Sequence, residues 1–509
     1  MRLHSLALLL VSVLLANLQT VKAQKVVLHM TGNQKIVYNI LQLDSITFVD
    51  NIDICSQMEY DAECSLFYEA LRATGLCEFL NKNFIDEAWN YSRYSSYEKE
   101  YYLPSFSQYC HIPKSRKAGV TVFACTNEAL QLKYGIHDLQ GFYDFALSVY
   151  GGTEDEALRK LLSYCIIDRK STLERLTTLC SIDTLVSQPT EWYSTLLPHS
   201  LLKVTRSMDQ TFLNMSGNMS GIRISEPQCN NICENGNYYL TEGLPLYNEE
   251  CRSAFASERM RIDFYTLIPE LENVMMRSSE TSTSQASAAE TNAIAKSYYL
   301  PFDYLQSVDV HNTETYMIYE NVHNTSQLYE GDCIWLCGRY DVTFKLPAVP
   351  KPGRYEIRIG YTATSNSSVS QMYFGNDPAH LPVAGIPLDF SRNAYDQQLP
   401  WIPLTDKSST DEQRLESLCN MRNHAFMHGP ASVFNVRDSA CEDDIQYMEK
   451  RFCDNPNTLR AIIVRQPLDN NSQYYLRIRT VLESTSKSVC LDYIELVPED
   501  IYDNSEDIY

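Results

Sequence analysis

The sequence predicts a mixed α+β region followed by an all-β sandwich. Three observations carry this. Helical and strand patterns alternate up to about residue 250, residues 278–296 hold almost no large apolar side chain, and beyond them apolar residues recur at every second position. A chain of 509 residues is long enough for more than one large core.

The elements follow in order. Arg2 and His4 precede the apolar run "LALLLVSVLLANL", and Val21 and Ala23 stand at the minus-three and minus-one positions of a cleavage site, so residues 1–23 read as a signal peptide. That run is too short to span a bilayer, which takes about 20 apolar residues, and no later stretch reaches that length. The cleavage point carries no cysteine for lipid attachment. The expectation is an exported protein of the periplasm or cell surface, without a transmembrane segment. Residues 24–54 alternate around a Thr-Gly-Asn turn and predict a hairpin.

From 55 to 250 the pattern is mixed. Leu66, Phe67, Ala70, Leu71 and Cys77 fall at helical spacing, and "YSRYSSYEKEYY" (91–102) reads as a loop. In "GVTVFACTNEAL" (119–130) Val120, Val122 and Ala124 alternate as a strand, Thr126 is placed to cap a helix, and Glu128 lies in its first turn. In "ALRKLLSYCII" (157–167) Leu158, Leu161, Leu162 and Cys165 form a helix face that runs into a strand. Residues 251–296 read as a connecting segment ending in a Ser/Thr/Ala-rich linker, 278–296, with a domain boundary there. In 297–509, "RYDVTFKLP", "RYEIRIGY" and "YLRIRT" place Tyr340, Val342, Phe344 and Leu346, then Tyr355, Ile357, Ile359 and Tyr361, then Leu476, Ile478 and Thr480 on the inner faces of a jelly-roll-like β-sandwich.

Three of these stretches carry a resemblance. "GVTVFACTNEAL" resembles the first box of fasciclin (FAS1) domains, with Cys125 where the family usually has proline. "LRKLLSYCII" is similar to the second box, with Tyr164 kept and Cys165 in place of histidine, and "ENGNYYLTEGLPL" (234–246) matches a third element. The layout of nearly the whole chain resembles exported fasciclin-domain proteins of the Bacteroidetes, through phrases such as "TLLPHSLLKV", "RMRIDFYTLIPEL" and "LDYIELVP". The resemblance implies a FAS1 domain over 55–250 and a role in adhesion or binding, with no shared catalytic centre.

A net charge of −22 repels nucleic acid and anionic lipid, so neither is expected as a partner. The 16 cysteines sit mostly in apolar runs and read as reduced core residues; any bridge is expected at Cys229–Cys233 or Cys333–Cys337. His424 and His428 stand four apart, but Ala425 follows His424 where a metalloprotease has its glutamate, so "HAFMH" reads as a loop. "GNMSG" has the wrong spacing for a nucleophile elbow, and neither a P-loop nor a dinucleotide fingerprint occurs. No catalytic residue, metal or cofactor is implied.

The expected function is non-catalytic binding or adhesion, with an extracellular polysaccharide or an envelope protein as partner. The alternatives are a structural envelope component and, less favoured, a glycan hydrolase. A sugar presents apolar C–H faces and a hydroxyl rim, so its site wants exposed rings beside charged or amide groups. Tyr361, Tyr373, Trp401, Arg422 and Asn423 are the candidates. Trp401, between Pro400 and Pro403, is expected at a loop surface.

Overall fold

The computed structural model describes residues 53–509 apart from 81–84, 95–101, 104–105, 178–189, 208–209, 226–230, 278–296, 322–327, 330–331, 405, 431–432, 438–446, 452–453 and 503–509. Before residue 53 it describes two strands, Lys25–His29 and Lys35–Asn39, which pair antiparallel. The chain divides into two compact units, Met1–Ile52 and Asp53–Tyr509. The signal-peptide segment and the linker 278–296 lie outside the described residues. Among the described residues no helix is long and apolar enough to cross a membrane.

The fold of Asp53–Tyr509 is mixed α/β, mostly β, with several antiparallel sheets. Its first part is built around the strand Val120–Cys125, which runs into the helix Asn127–Tyr134. The Thr126 hydroxyl accepts from the Ala129 amide at 3.2 Å, and Gly135 ends the helix at φ 66°, a left-handed conformation that glycine adopts without strain. Beside this strand lies Gly236–Thr241, in parallel register. A Cβ on Gly236 would sit 2.0 Å from the Val120 carbonyl oxygen, so only glycine allows this approach.

Both strands are buried along their length, as parallel strands covered on two faces must be. Val120, Val122, Ala124, Tyr238 and Leu240 face a helical layer, while Phe123 and Tyr239 face the rest of the molecule. The helical layer comprises Ser65–Ala73, Leu139–Tyr150 and Glu154–Tyr164. It buries Phe67, Phe142, Leu158, Leu161 and Leu162, with Phe67 and Phe142 centred 6.4 Å apart. Cys125 is fully buried there, and burial pushes its thiol up to about 12, so it packs rather than reacts.

The stretch after residue 250 was expected to connect; its described part is built into the β architecture. Asn248 caps the helix Glu249–Phe255, and Met260–Asp263 pairs antiparallel with the strand Ser488–Pro498. Arg277 then reaches Asp332 at 2.5 Å and Asp263 at 3.0 Å. The cause is local apolar content: Met260, Ile262, Phe264, Ile268 and Leu271 are all buried in one core that runs from Phe123 and Trp192 through to Phe344 and Ile359.

Two antiparallel sheets close on that core. The larger has eight strands, in the order Ser297–Pro301, Tyr316–Asn321, Asp332–Cys337, Ser488–Pro498, Gly353–Thr362, Thr458–Leu468 and Phe426–His428, with Met260–Asp263 added to Ser488–Pro498. The smaller has five, in the order Val308–Val310, Asp341–Lys345, Tyr475–Thr480, Val369–Gly375 and Val383–Asp389. Ile357, Ile359, Ile494 and Leu496 from the first meet Val342, Phe344, Met372, Phe374, Leu476 and Ile478 from the second. Period-two patterning produces this arrangement, since alternate side chains of each strand must find an apolar partner.

The cysteines correct the expected bridge. Cys55 and Cys77 form a disulfide, with Cα atoms 5.8 Å apart, joining the helices Ile54–Met58 and Leu76–Leu80. Cys333 and Cys337 are both free and buried on one strand. Four residues of strand separate them by roughly 13 Å, beyond the roughly 7 Å a bridge spans. Cys233 is buried, and Cys229 lies outside the described residues.

Candidate functional site

The five residues expected to line a ligand site do not come together. Trp401 does lie in an irregular stretch, but it is only 7% exposed. Tyr395 meets its ring edge-on at 5.3 Å, and His428 lies 5.6 Å away. The helix Asp411–Asn423 closes over it: Met421 is buried in the same core, and the Ser417 hydroxyl donates to the Pro400 carbonyl. Prolines keep this stretch out of a ladder; the helix decides that it is covered. The Trp401 indole Nε1 is buried and makes no hydrogen bond among the described residues.

Tyr361 is also buried, edge-on to Phe390 at 4.8 Å, with its hydroxyl accepting from the Gln397 amide at 3.3 Å. Arg422 turns to Glu356 at 3.5 Å, and Asn423 is exposed at the end of its helix. His424 follows that helix and His428 lies in a buried strand; Ala425 between them has φ 64°, which ends the helix before the two rings could share its face. Tyr373 alone lies on an open β surface, half-buried on the outer face of the five-stranded sheet.

That face is the candidate site. In Val369–Gly375 the residues Ser370, Met372 and Phe374 point inward, so Gln371 and Tyr373 point out. In Tyr475–Thr480 Leu476 and Ile478 point inward, which turns out Tyr475, Arg477 and Arg479. The ladder sets Tyr373 opposite Arg477 and Arg477 opposite Thr343; Gln371 stands opposite Arg479 and Arg479 opposite Asp341. Tyr475 stands between Gly375 and Lys345. Tyr373 and Tyr475 are therefore diagonal neighbours, roughly 7 Å apart at Cα.

Charge is organised on this surface. Arg477 donates to both Asp341 oxygens, at 2.6 and 2.7 Å, a bidentate fork with fixed geometry. These bonds raise the guanidinium further above its usual value. Its Cζ also lies 5.4 Å from the Tyr373 ring centroid, which holds the ring in place. Arg479, 3.7 Å from the same Asp341, keeps a more exposed head, so one carboxylate serves two cations. His311 Nε2 lies 2.8 Å from the Thr343 hydroxyl, and the Gln371 amide donates to the Gly385 carbonyl at 3.1 Å. Opposite Tyr373 on the edge strand, Val383 is 61% exposed, and Ile386 further along is 81% exposed. Lys345 also lines a cavity of about 90 Å³ with Asp168, Arg169, Trp192 and Thr266.

The face thus offers two aromatic rings, the exposed Val383 and fixed polar groups. It suits stacking and hydrogen bonding to a neutral or mildly acidic polyhydroxyl surface. Among the described residues no group of His, Cys, Asp and Glu is arranged to hold a metal. Sequence reasoning found Tyr373 and missed Tyr475, Arg477, Arg479, Asp341 and Gln371. The signal was available: the same alternation that sends Leu476 and Ile478 inward sends their neighbours out.

No protein-family model and no curated protein sequence matches the chain. Among solved structures it is similar to a Paenibacillus xanthan lyase, with 11% identity over 58% of this chain and 21% of the lyase, at a TM-score of 0.20. It is similar to an exo-β-1,3-galactanase from Phanerochaete chrysosporium, with 7% identity over 40% of this chain and 30% of that one, at a TM-score of 0.18. The K1 cleaved adhesin domain of Lys-gingipain from Porphyromonas gingivalis matches with 10% identity over 40% of this chain and 98% of that domain, at a TM-score of 0.19. The chain therefore spans 21% of the lyase and 30% of the galactanase. Scores at this level mark no shared fold, and the geometry of the face stands by itself.

Proposed function

We propose that this is an exported, non-catalytic binding protein with a fasciclin-like part over 55–250 and a jelly-roll-like sandwich whose outer five-stranded face takes a polysaccharide. One observation carries the reading: Tyr373 and Tyr475 share an open face with the Arg477–Asp341 fork and the exposed Arg479. A pyranose C–H face stacks on the rings, and its hydroxyls bond the guanidinium and amide groups. The fasciclin-like reading is supported by the strand-to-helix turn at Thr126 and by the parallel strand after the Asn-Gly turn.

The test is a glycan array probed with the full chain, its Tyr373→Ala and Arg477→Ala variants, and Trp401→Ala. Binding lost in the first two and kept in folded Trp401→Ala supports the face. Binding by no form of the chain overturns it in favour of a structural envelope role, and turnover of a bound glycan overturns the non-catalytic reading.

A further inference from the structure

In a chain whose net charge is −22, the strands of the outer five-stranded face present more positive than negative charge. The ladder sets out the charges in three rows. Asp341 stands beside Arg479 in the first, Asp309, Thr343, Arg477 and Tyr373 follow one another in the second, and Lys345 stands beside Tyr475 in the third. Three cations therefore face two carboxylates. Asp389, on the edge strand, is matched by Arg392 at 3.2 Å and leaves that balance unchanged.

The geometry leaves two of the three cations open. Arg477 occupies both oxygens of Asp341, so Arg479 stands 3.7 Å from that carboxylate, beyond hydrogen-bond distance, and its exposed guanidinium has no other ionic contact among the described residues. Lys345 is exposed too. Asp309 is its diagonal neighbour across the ladder, yet Lys345 forms no ion pair among the described residues. The negative charge of the rest of the chain acts weakly here, because at physiological salt charges more than about 8 Å away are largely screened. Local charge decides what this face attracts. Arg479 and Lys345 stand four residues apart along neighbouring strands, roughly 13 Å, with the Tyr373 row at the level between them.

We infer that the polysaccharide this face takes is acidic, carrying carboxylate or sulfate ester groups along its chain, an inference that rests on the polysaccharide reading above. With a sugar ring stacked on Tyr373, the open guanidinium of Arg479 donates to an anionic group through two parallel N–H bonds, and Lys345 meets a second such group as a point charge. A neutral chain uses neither cation fully. The Arg477–Asp341 fork is internally neutral, so it holds the ring and bonds hydroxyls without selecting for charge. Selection belongs to Arg479 and Lys345.

The test is a glycan array probed with the full chain, in which each uronate glycan is paired with its carboxyl-reduced form and each sulfated glycan with its desulfated form. In at least one class the acidic member should bind about tenfold tighter at low salt, as charge-assisted hydrogen bonds to two cations imply. The pairs tell carboxylate from sulfate. Raising the salt to about 0.5 M should shrink the preference, and a preference that salt leaves unchanged overturns the inference. In the double variant Lys345→Gln, Arg479→Gln the preference should fall to near parity; its persistence in the folded variant removes these cations from the site. Equal or tighter binding of the neutral members overturns the acidic assignment and leaves the polysaccharide reading standing. Binding of neither member of any pair overturns both.

Discussion

The strands Gly353–Thr362 and Tyr475–Thr480 carry the same kind of pattern and end in opposite situations. "RYEIRIGY" and "YLRIRT" both alternate apolar with charged residues, and both send their apolar set into the shared core. The other set of the first strand, Glu356 and Arg358, is fully buried, whereas the Arg477 and Arg479 side chains are 28% and 56% exposed. On the buried face Glu495 gathers Arg261 at 2.8 Å, Arg358 at 3.1 Å, Arg460 at 3.4 Å and Arg259 at 4.0 Å. Glu356 binds Arg358 and Arg465. Charge on a strand therefore marks its outward side and says nothing about water. A second layer converts the same kinds of residue from an exposed surface into an internal ion network.

Glu495 is the centre of the buried network. Burial alone would raise its carboxyl, but Arg460, Arg261, Arg259 and Arg358 outweigh that and hold it well below the usual carboxylate range. Glu495→Gln removes the buried carboxylate that four guanidinium groups share and should lower stability by about 3–5 kcal/mol in chemical denaturation. Loss below about 1 kcal/mol would show that the network is solvated. Because the folded value is depressed, the contribution of Glu495 is present above its unfolded value, about 4.3, and is lost as pH falls toward the folded one. The gap between wild type and variant should narrow in acid; a gap that widens would contradict the ion network.

Trp401→Ala should come next, at about 3 kcal/mol, because it empties a covered site between Tyr395, His428 and the helix Asp411–Asn423. Glycan binding by the folded variant should not change. Cys125→Ser places a hydroxyl in the apolar layer under the helices and should cost about 1–3 kcal/mol, read as a lower melting temperature. The smallest effect on stability belongs to Tyr373→Ala, within about 0.5 kcal/mol for an outer-face residue. The same change should abolish binding on the array, the reverse of Trp401→Ala.

Much of the local structure was legible in the residues. Thr126, Glu128 and Gly135 mark the helix after Cys125, and the alternating runs at 340–346, 355–361 and 476–480 set which side chains face the core, because these depend on neighbours a few positions away. Tyr373 was legible as a ring outside the core; Trp401 and Tyr361 were misread as available, because no local pattern records a helix or loop packing over them. The role of Met260–Asp263 as a strand of the larger sheet depends on Ser488–Pro498, more than 200 residues away in sequence. The sequence by itself determined periodicity, caps and the inward side of each strand, since those follow from backbone geometry and the need to bury apolar surface. Which outward side meets water follows only from the tertiary fold, because coverage comes from chain segments distant in sequence, and on that rests whether a row of arginines forms an internal ion network or an exposed surface.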